Sequence, residues 1–144
     1  MINAIVGHKG SGKTARIVKE ITDASSRSDS NIVCIENGKR FDSVVPYTVR
    51  LIDIQEYPVS GFDELFAFIA GMNAKDYDIS HIYIDSIYKV AKEENPDALA
   101  PFMSRLNDLA EKAHVNITLT ISEEPDKLSD EVRSYIKSFD AEEK

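Results

Sequence analysis

Apolar positions along the chain fall into two alternating patterns. Short continuous runs occur at Ile2 to Val6, Asn31 to Glu36, Val49 to Ile54, Ile82 to Asp85 and Asn116 to Ile121. Runs of this length and density predict strands buried on both faces, as in a parallel sheet. Between them the apolar residues recur at spacings of three and four. Ala15, Ile17, Val18, Ile21 and Ala24 form one stripe, and Phe62, Leu65, Phe66, Ile69 and Met72 a second. A third runs through Leu99, Phe102, Met103, Leu106, Leu109, Ala110 and Ala113. Each predicts an amphipathic helix. Pro125 suits the first turn of a last helix, with Leu128, Val132, Ile136 and Phe139 on one side. Strand and helix therefore alternate throughout. The expected fold is α/β, a three-layer sandwich around a mostly parallel five-stranded sheet. Right-handed crossovers then place all strand C-termini, and any ligand, along one edge.

The expected organisation is one domain over residues 1–139 and a flexible tail over 140–144, since 144 residues suffice for a single core. The formal net charge is -8, which disfavours nucleic acid and anionic membrane as partners. Cys34 is the only cysteine, so no intramolecular disulfide can form, and a reducing cytoplasm is expected. Lys9 and Lys13 interrupt the N-terminal apolar run, so neither a signal peptide nor a membrane span is expected.

Chemistry enters at the first strand-to-helix junction. Gly7-His8-Lys9-Gly10-Ser11-Gly12-Lys13-Thr14 satisfies the pattern G-x-x-x-x-G-K-[ST]. Chance would produce that pattern in roughly one chain in two hundred of this length, and the strand before and helix after it are what it requires. The glycines let the backbone curl around phosphate oxygens, and its N–H groups then form an anion nest at a helix N-terminus. Lys13 is expected to neutralise the β- and γ-phosphates, and the Thr14 hydroxyl to ligate Mg²⁺. His8 and Lys9 occupy variable positions of the loop. Asp85, at the end of an apolar strand, is the expected carboxylate partner of Mg²⁺, with the capping of a turn as its alternative role. Hydrolysis would further need a base facing the γ-phosphate. No glutamate follows Asp85, and Glu36 at the end of the second strand is the candidate, with an ordinary strand-end carboxylate as the alternative. Thr120 and Ser122 could bond a γ-phosphate or a water. No N-K-x-D tetrapeptide occurs, so adenine is favoured over guanine.

On these residues the chain resembles the RecA-like ATPase core, the P-loop group that includes RecA and KaiC. Ile84-Asp85-Ser86-Ile87 is similar to the magnesium-site motif of that group, and Glu36 matches the place of its catalytic glutamate. The order of loop, strand, proline and helix between them also agrees. A closer likeness is to short bacterial P-loop proteins commonly labelled ATP-binding or twitching motility proteins. It rests on Ile5-Val6-Gly7 through Thr14, Arg50-Leu51-Ile52-Asp53, Asp76-Tyr77-Asp78-Ile79, Ile82-Tyr83-Ile84-Asp85 and Ser122-Glu123-Glu124-Pro125. The resemblance implies ATP and Mg²⁺ as ligands and slow hydrolysis stimulated by a protein partner or by homo-oligomerisation. A basic residue from a neighbour would then reach the γ-phosphate, with Arg40, Arg50, Arg105 and Arg133 as candidates. It does not imply filament formation or a pilus motor. One alternative is an ATP-dependent switch without useful turnover. A small nucleoside kinase is a further one, disfavoured because the cysteine-rich zinc element and Asp-Glu pair of thymidine kinase are missing.

Overall fold

The computed structural model describes residues 1–136. The proposed tail at 140–144 and Phe139 lie outside them. Five parallel strands form one sheet in the order β1-β5-β4-β2-β3. They span Ile2–Gly7 (β1), Ile32–Glu36 (β2), Arg50–Asp53 (β3), His81–Ile84 (β4) and Asn116–Ser122 (β5). Helices span Lys13–Ser25 (α1), Phe62–Lys75 (α2), Ile87–Ala91 (α3), Leu99–Ala113 (α4) and Asp130–Arg133 (α5). The expected parallel α/β sheet is therefore present.

Successive strand residues face opposite sides, and the core divides accordingly. Ala4, Val33, Ile35, Ile82, Ile84, Ile117 and Leu119 pack with the buried faces of α2 and α4, through residues such as Leu65, Ile69, Met103 and Leu106. Ile5, Ile32, Cys34 and Tyr83 pack with Ile17, Ile21 and Ala24 of α1. The segment between β2 and β3 completes that second layer with Phe41, Val45 and Val49. Of the stripe expected on α1, Ala15 is exposed, because it lies in the first turn beyond the sheet edge.

The last helix differs from the sequence expectation. Pro125–Lys127 is a single 3₁₀ turn, and α5 starts afresh where the Ser129 hydroxyl accepts from Val132 N–H at 3.2 Å. A serine whose side chain satisfies an orphan donor begins a helix and does not continue one. Beyond α5, Ala4 N–H donates to Tyr135 C=O at 2.8 Å, which covers part of the open side of β1.

Candidate functional site

β1 ends at Gly7, and the chain turns through residues 8–12 into α1. Gly10 and Gly12 have φ of 86° and 94°, a region other residues enter only at a cost. Gly12 is the N-cap of α1, and no side chain caps that helix. No acidic residue lies in its first turn either. The N-cap thus supplies no side-chain acceptor to the leading N–H groups, and no acidic residue of the first turn offsets the positive end of the helix dipole. Lys13 Nζ folds back to donate to His8 C=O at 2.9 Å. Burial lowers the Lys13 pKa, while the charge of Asp85 acts in the opposite direction, so the two groups lie within electrostatic reach. A cleft of about 570 Å³ opens over this turn, bordered by Gly7, Ser11, Gly12, Lys13 and Arg16, with Glu124 and Pro125 opposite. Thr14 is exposed in the first turn of α1, and Lys9 is exposed on the loop. His8 reaches outward to Glu124, 3.5 Å away. Gly12→Ala should cost about 1–2 kcal/mol of stability, the expense of a left-handed backbone for a residue with a Cβ. Urea denaturation checks it, and an unchanged midpoint would mean the loop relaxes freely.

The carboxylates stand in a row on the same sheet edge. Glu36 pairs in register with Asp53, and Asp85 follows directly on the Ile84 pairings with Ile35 and Leu119. One step further along the sheet stands Thr120. Glu36 shares its face with Cys34, Asp85 with Tyr83, and Thr120 with Thr118, so the row projects to the α1 side. At the usual strand spacing Asp85 is two strands, ~10 Å, from β1, and Glu36 is three strands, ~14 Å.

Asp85 is 1% exposed. Its Oδ1 accepts from the Thr120 hydroxyl at 3.0 Å, and its Oδ2 accepts from the Arg40 guanidinium. The Ser86 hydroxyl lies 3.5 Å from the same oxygen. Ser86 itself has φ of 67°, and its N–H donates to Thr120 Oγ1 at 2.6 Å. A non-glycine residue held there stores roughly 1–3 kcal/mol of strain, of the kind found at functional turns. Thr120 thus orients Asp85 and caps the turn at Ser86, a structural role at the strand end.

Glu36 is fully buried on the expected edge. Its Oε1 accepts from the N–H groups of Arg40 at 2.8 Å and Phe41 at 3.1 Å. Its Oε2 is buried with no hydrogen-bond partner. Desolvation raises the Glu36 pKa above the usual carboxylate range, against the opposing pull of the two backbone donors.

The structure therefore brings Gly7, Gly10, Ser11, Gly12, Lys13 and Thr14 together with Asp85 and Glu36 on one edge. Neither carboxylate borders the cleft. Of the four arginines singled out from the sequence, Arg40 pairs with Asp85 in its own chain. Arg105 pairs with Asp63 at 3.1 Å and stacks over Phe66, and Arg133 bonds Asp130 and Pro125 C=O. Arg50 is exposed on the edge strand β3.

Among the described residues no three His, Cys, Asp or Glu side chains cluster to hold a metal unaided. A hard cation here would share its coordination with ligand oxygens, which suits Mg²⁺ with one carboxylate and a hydroxyl. Among the same residues, no helix is long and apolar enough to cross a membrane. No protein-family model matches the chain, and no curated protein matches its sequence.

Proposed function

We propose that this chain binds ATP with Mg²⁺ on a P-loop core of RecA-like type and hydrolyses it slowly, a protein partner or second copy completing the site. One observation carries the reading: an uncapped helix N-terminus with Lys13 shares its sheet edge with the buried, oriented carboxylate of Asp85. Backbone N–H groups from Gly10 to Thr14 and the Lys13 ammonium hold the phosphates. The Thr14 hydroxyl and Asp85 would hold the cation, oxygen donors of the kind Mg²⁺ takes, while the N–H groups serve the phosphates. When bound, the metal neutralises charge developing on the transferred phosphoryl group. β5 lies between the strands of Lys13 and Asp85, which leaves the width of one strand for phosphate and ion. Glu36, with its unshared oxygen, is the candidate base for the attacking water.

A second reading, a nucleotide switch with little turnover, draws on a separate observation. Both carboxylates are engaged by the segment that follows β2, Asp85 through Arg40 and Glu36 through two backbone donors.

Asp85→Asn tests the metal assignment. The variant should lose about tenfold or more of its ATP affinity in the presence of Mg²⁺, the scale of a charge-assisted contact, and little of it in EDTA. Paired calorimetric titrations decide it. Equal loss under both conditions would leave Asp85 a structural acceptor for Thr120 and Arg40.

A further inference from the structure

The carboxylate proposed for the cation is already neutralised from within the chain. Arg40 sits on Asp85 Oδ2, while Thr120 takes Oδ1. The two ends of this ion pair differ sharply in exposure: the Asp85 side chain is 1% exposed and that of Arg40 is 45% exposed. Asp85 is rooted in the sheet, whereas Arg40 belongs to an irregular segment over residues 37–49. The arginine is therefore the partner free to leave toward solvent, and the carboxylate is the partner that must stay.

We propose that Arg40 is a built-in counter-ion that competes with the incoming divalent cation for Asp85, so that metal-nucleotide binding displaces it and moves the segment between β2 and β3. The proposal rests on the reading of Asp85 as a metal ligand. Its physical basis is local electrostatics. A divalent cation and a guanidinium cannot share one carboxylate oxygen at contact distance, and the doubly charged ion gains more from it. Displacement cannot be confined to the side chain's tip. The backbone N–H of Arg40 and that of Phe41 both donate to Glu36 Oε1, so the same residue is tied to both carboxylates of the row. Phe41 anchors the segment in the core, and beyond it Val44 and Tyr47 stand out, 51% and 97% exposed. Nucleotide state would thus reach exposed Val44 and Tyr47, four and seven residues from Asp85's partner, through the mainchain.

Two measurements test this. The first compares ATP affinity with Mg²⁺ and with EDTA for the wild type, Arg40→Gln and Arg40→Lys. Removing the competitor should enlarge the Mg²⁺-dependent gain about tenfold in Arg40→Gln, the lower end for a charge-assisted bond with a half-exposed partner. Arg40→Lys, which keeps the charge and loses the planar fork, should fall between and preserves the fold if the glutamine variant does not. The second places an environment-sensitive fluorophore on Tyr47→Cys. Cys34 is buried, its thiol pKa pushed up by burial and by Glu36 and Asp85, so labelling is confined to position 47. The probe should respond to ATP with Mg²⁺ and not to ATP in EDTA. An unchanged Mg²⁺-dependent gain in both Arg40 variants, or a probe response that needs no metal, would overturn the competition while leaving the nucleotide site intact. A wild-type chain that binds no ATP under either condition would remove the site and this inference with it.

Discussion

Lys13→Ala should abolish measurable Mg·ATP binding while leaving the fold intact. The Lys13 ammonium donates to the C=O of His8, at an exposed position. A bond of that kind contributes about 0.5–1.5 kcal/mol at most, and less where water competes, so the melting temperature should barely move. Its value to a triphosphate is larger. The ammonium lies at the head of α1, where partial burial lowers its pKa, so its charge is incompletely solvated. A phosphate there would restore the lost solvation and add a charge-assisted contact. Removing one partner of such a pair typically costs about 2–5 kcal/mol, or from ~30-fold to several thousandfold in affinity. Calorimetry of both proteins with Mg·ATP is the check. Affinities within threefold of each other would mean that the loop from Gly7 to Thr14 is a strand-to-helix turn and nothing more.

What could be foreseen from the sequence follows the physics of each element. The strands were legible because burial on both faces leaves an unbroken apolar run, as in Ile32 to Ile35. The carboxylate row was legible in part: residues ending parallel strands must lie on the C-terminal edge of the sheet, and Glu36 and Asp85 both do. The strand order was not, since no local pattern states that β5 lies between β1 and β4. α3, five residues long, is too short for a helical period to emerge, and its start at Ser86 depends on the bond to Thr120 from another strand. The break before α5 did have a signal, Ser129 three residues before Val132, the spacing of a serine N-cap. Arg40 had none. It comes from an aperiodic segment and meets Asp85 across 45 positions of sequence, so only the folded chain turns it from a candidate for a neighbour's γ-phosphate into the partner of a buried carboxylate in its own chain.

Glu36→Gln should lower ATP turnover by about 10²–10⁴-fold, the usual effect of losing a general base, with ATP affinity nearly unchanged. Glu36 is buried, yet its Oε1 takes two N–H donors and its Oε2 takes none. A chain that needed only to fasten the turn at Arg40 and Phe41 could do so with one acceptor oxygen, as glutamine supplies. An orphaned second oxygen is a cost to the fold and a group available for chemistry. Position adds to this, since Glu36 stands on the same sheet edge as the loop from Gly7 to Thr14, one strand beyond Asp85. Its carboxyl is buried and does not border the cleft, so a base role would require the segment above it to move. Stability supplies a second readout that turnover alone cannot. Desolvation raises the Glu36 pKa from its model-compound value of 4.5, so the folded chain holds this proton more tightly than the unfolded one. The sign follows: stability attributable to this group declines as pH rises from about 4.5 through the raised value. Glu36→Gln removes the titration, so denaturation midpoints of the variant should gain on the wild type across that interval and then run parallel. Turnover lost with the pH-dependent difference present identifies a buried base. Turnover retained with the same difference present makes Glu36 the fastener of the β2–β3 segment alone, and the nucleotide-switch reading then gains the ground.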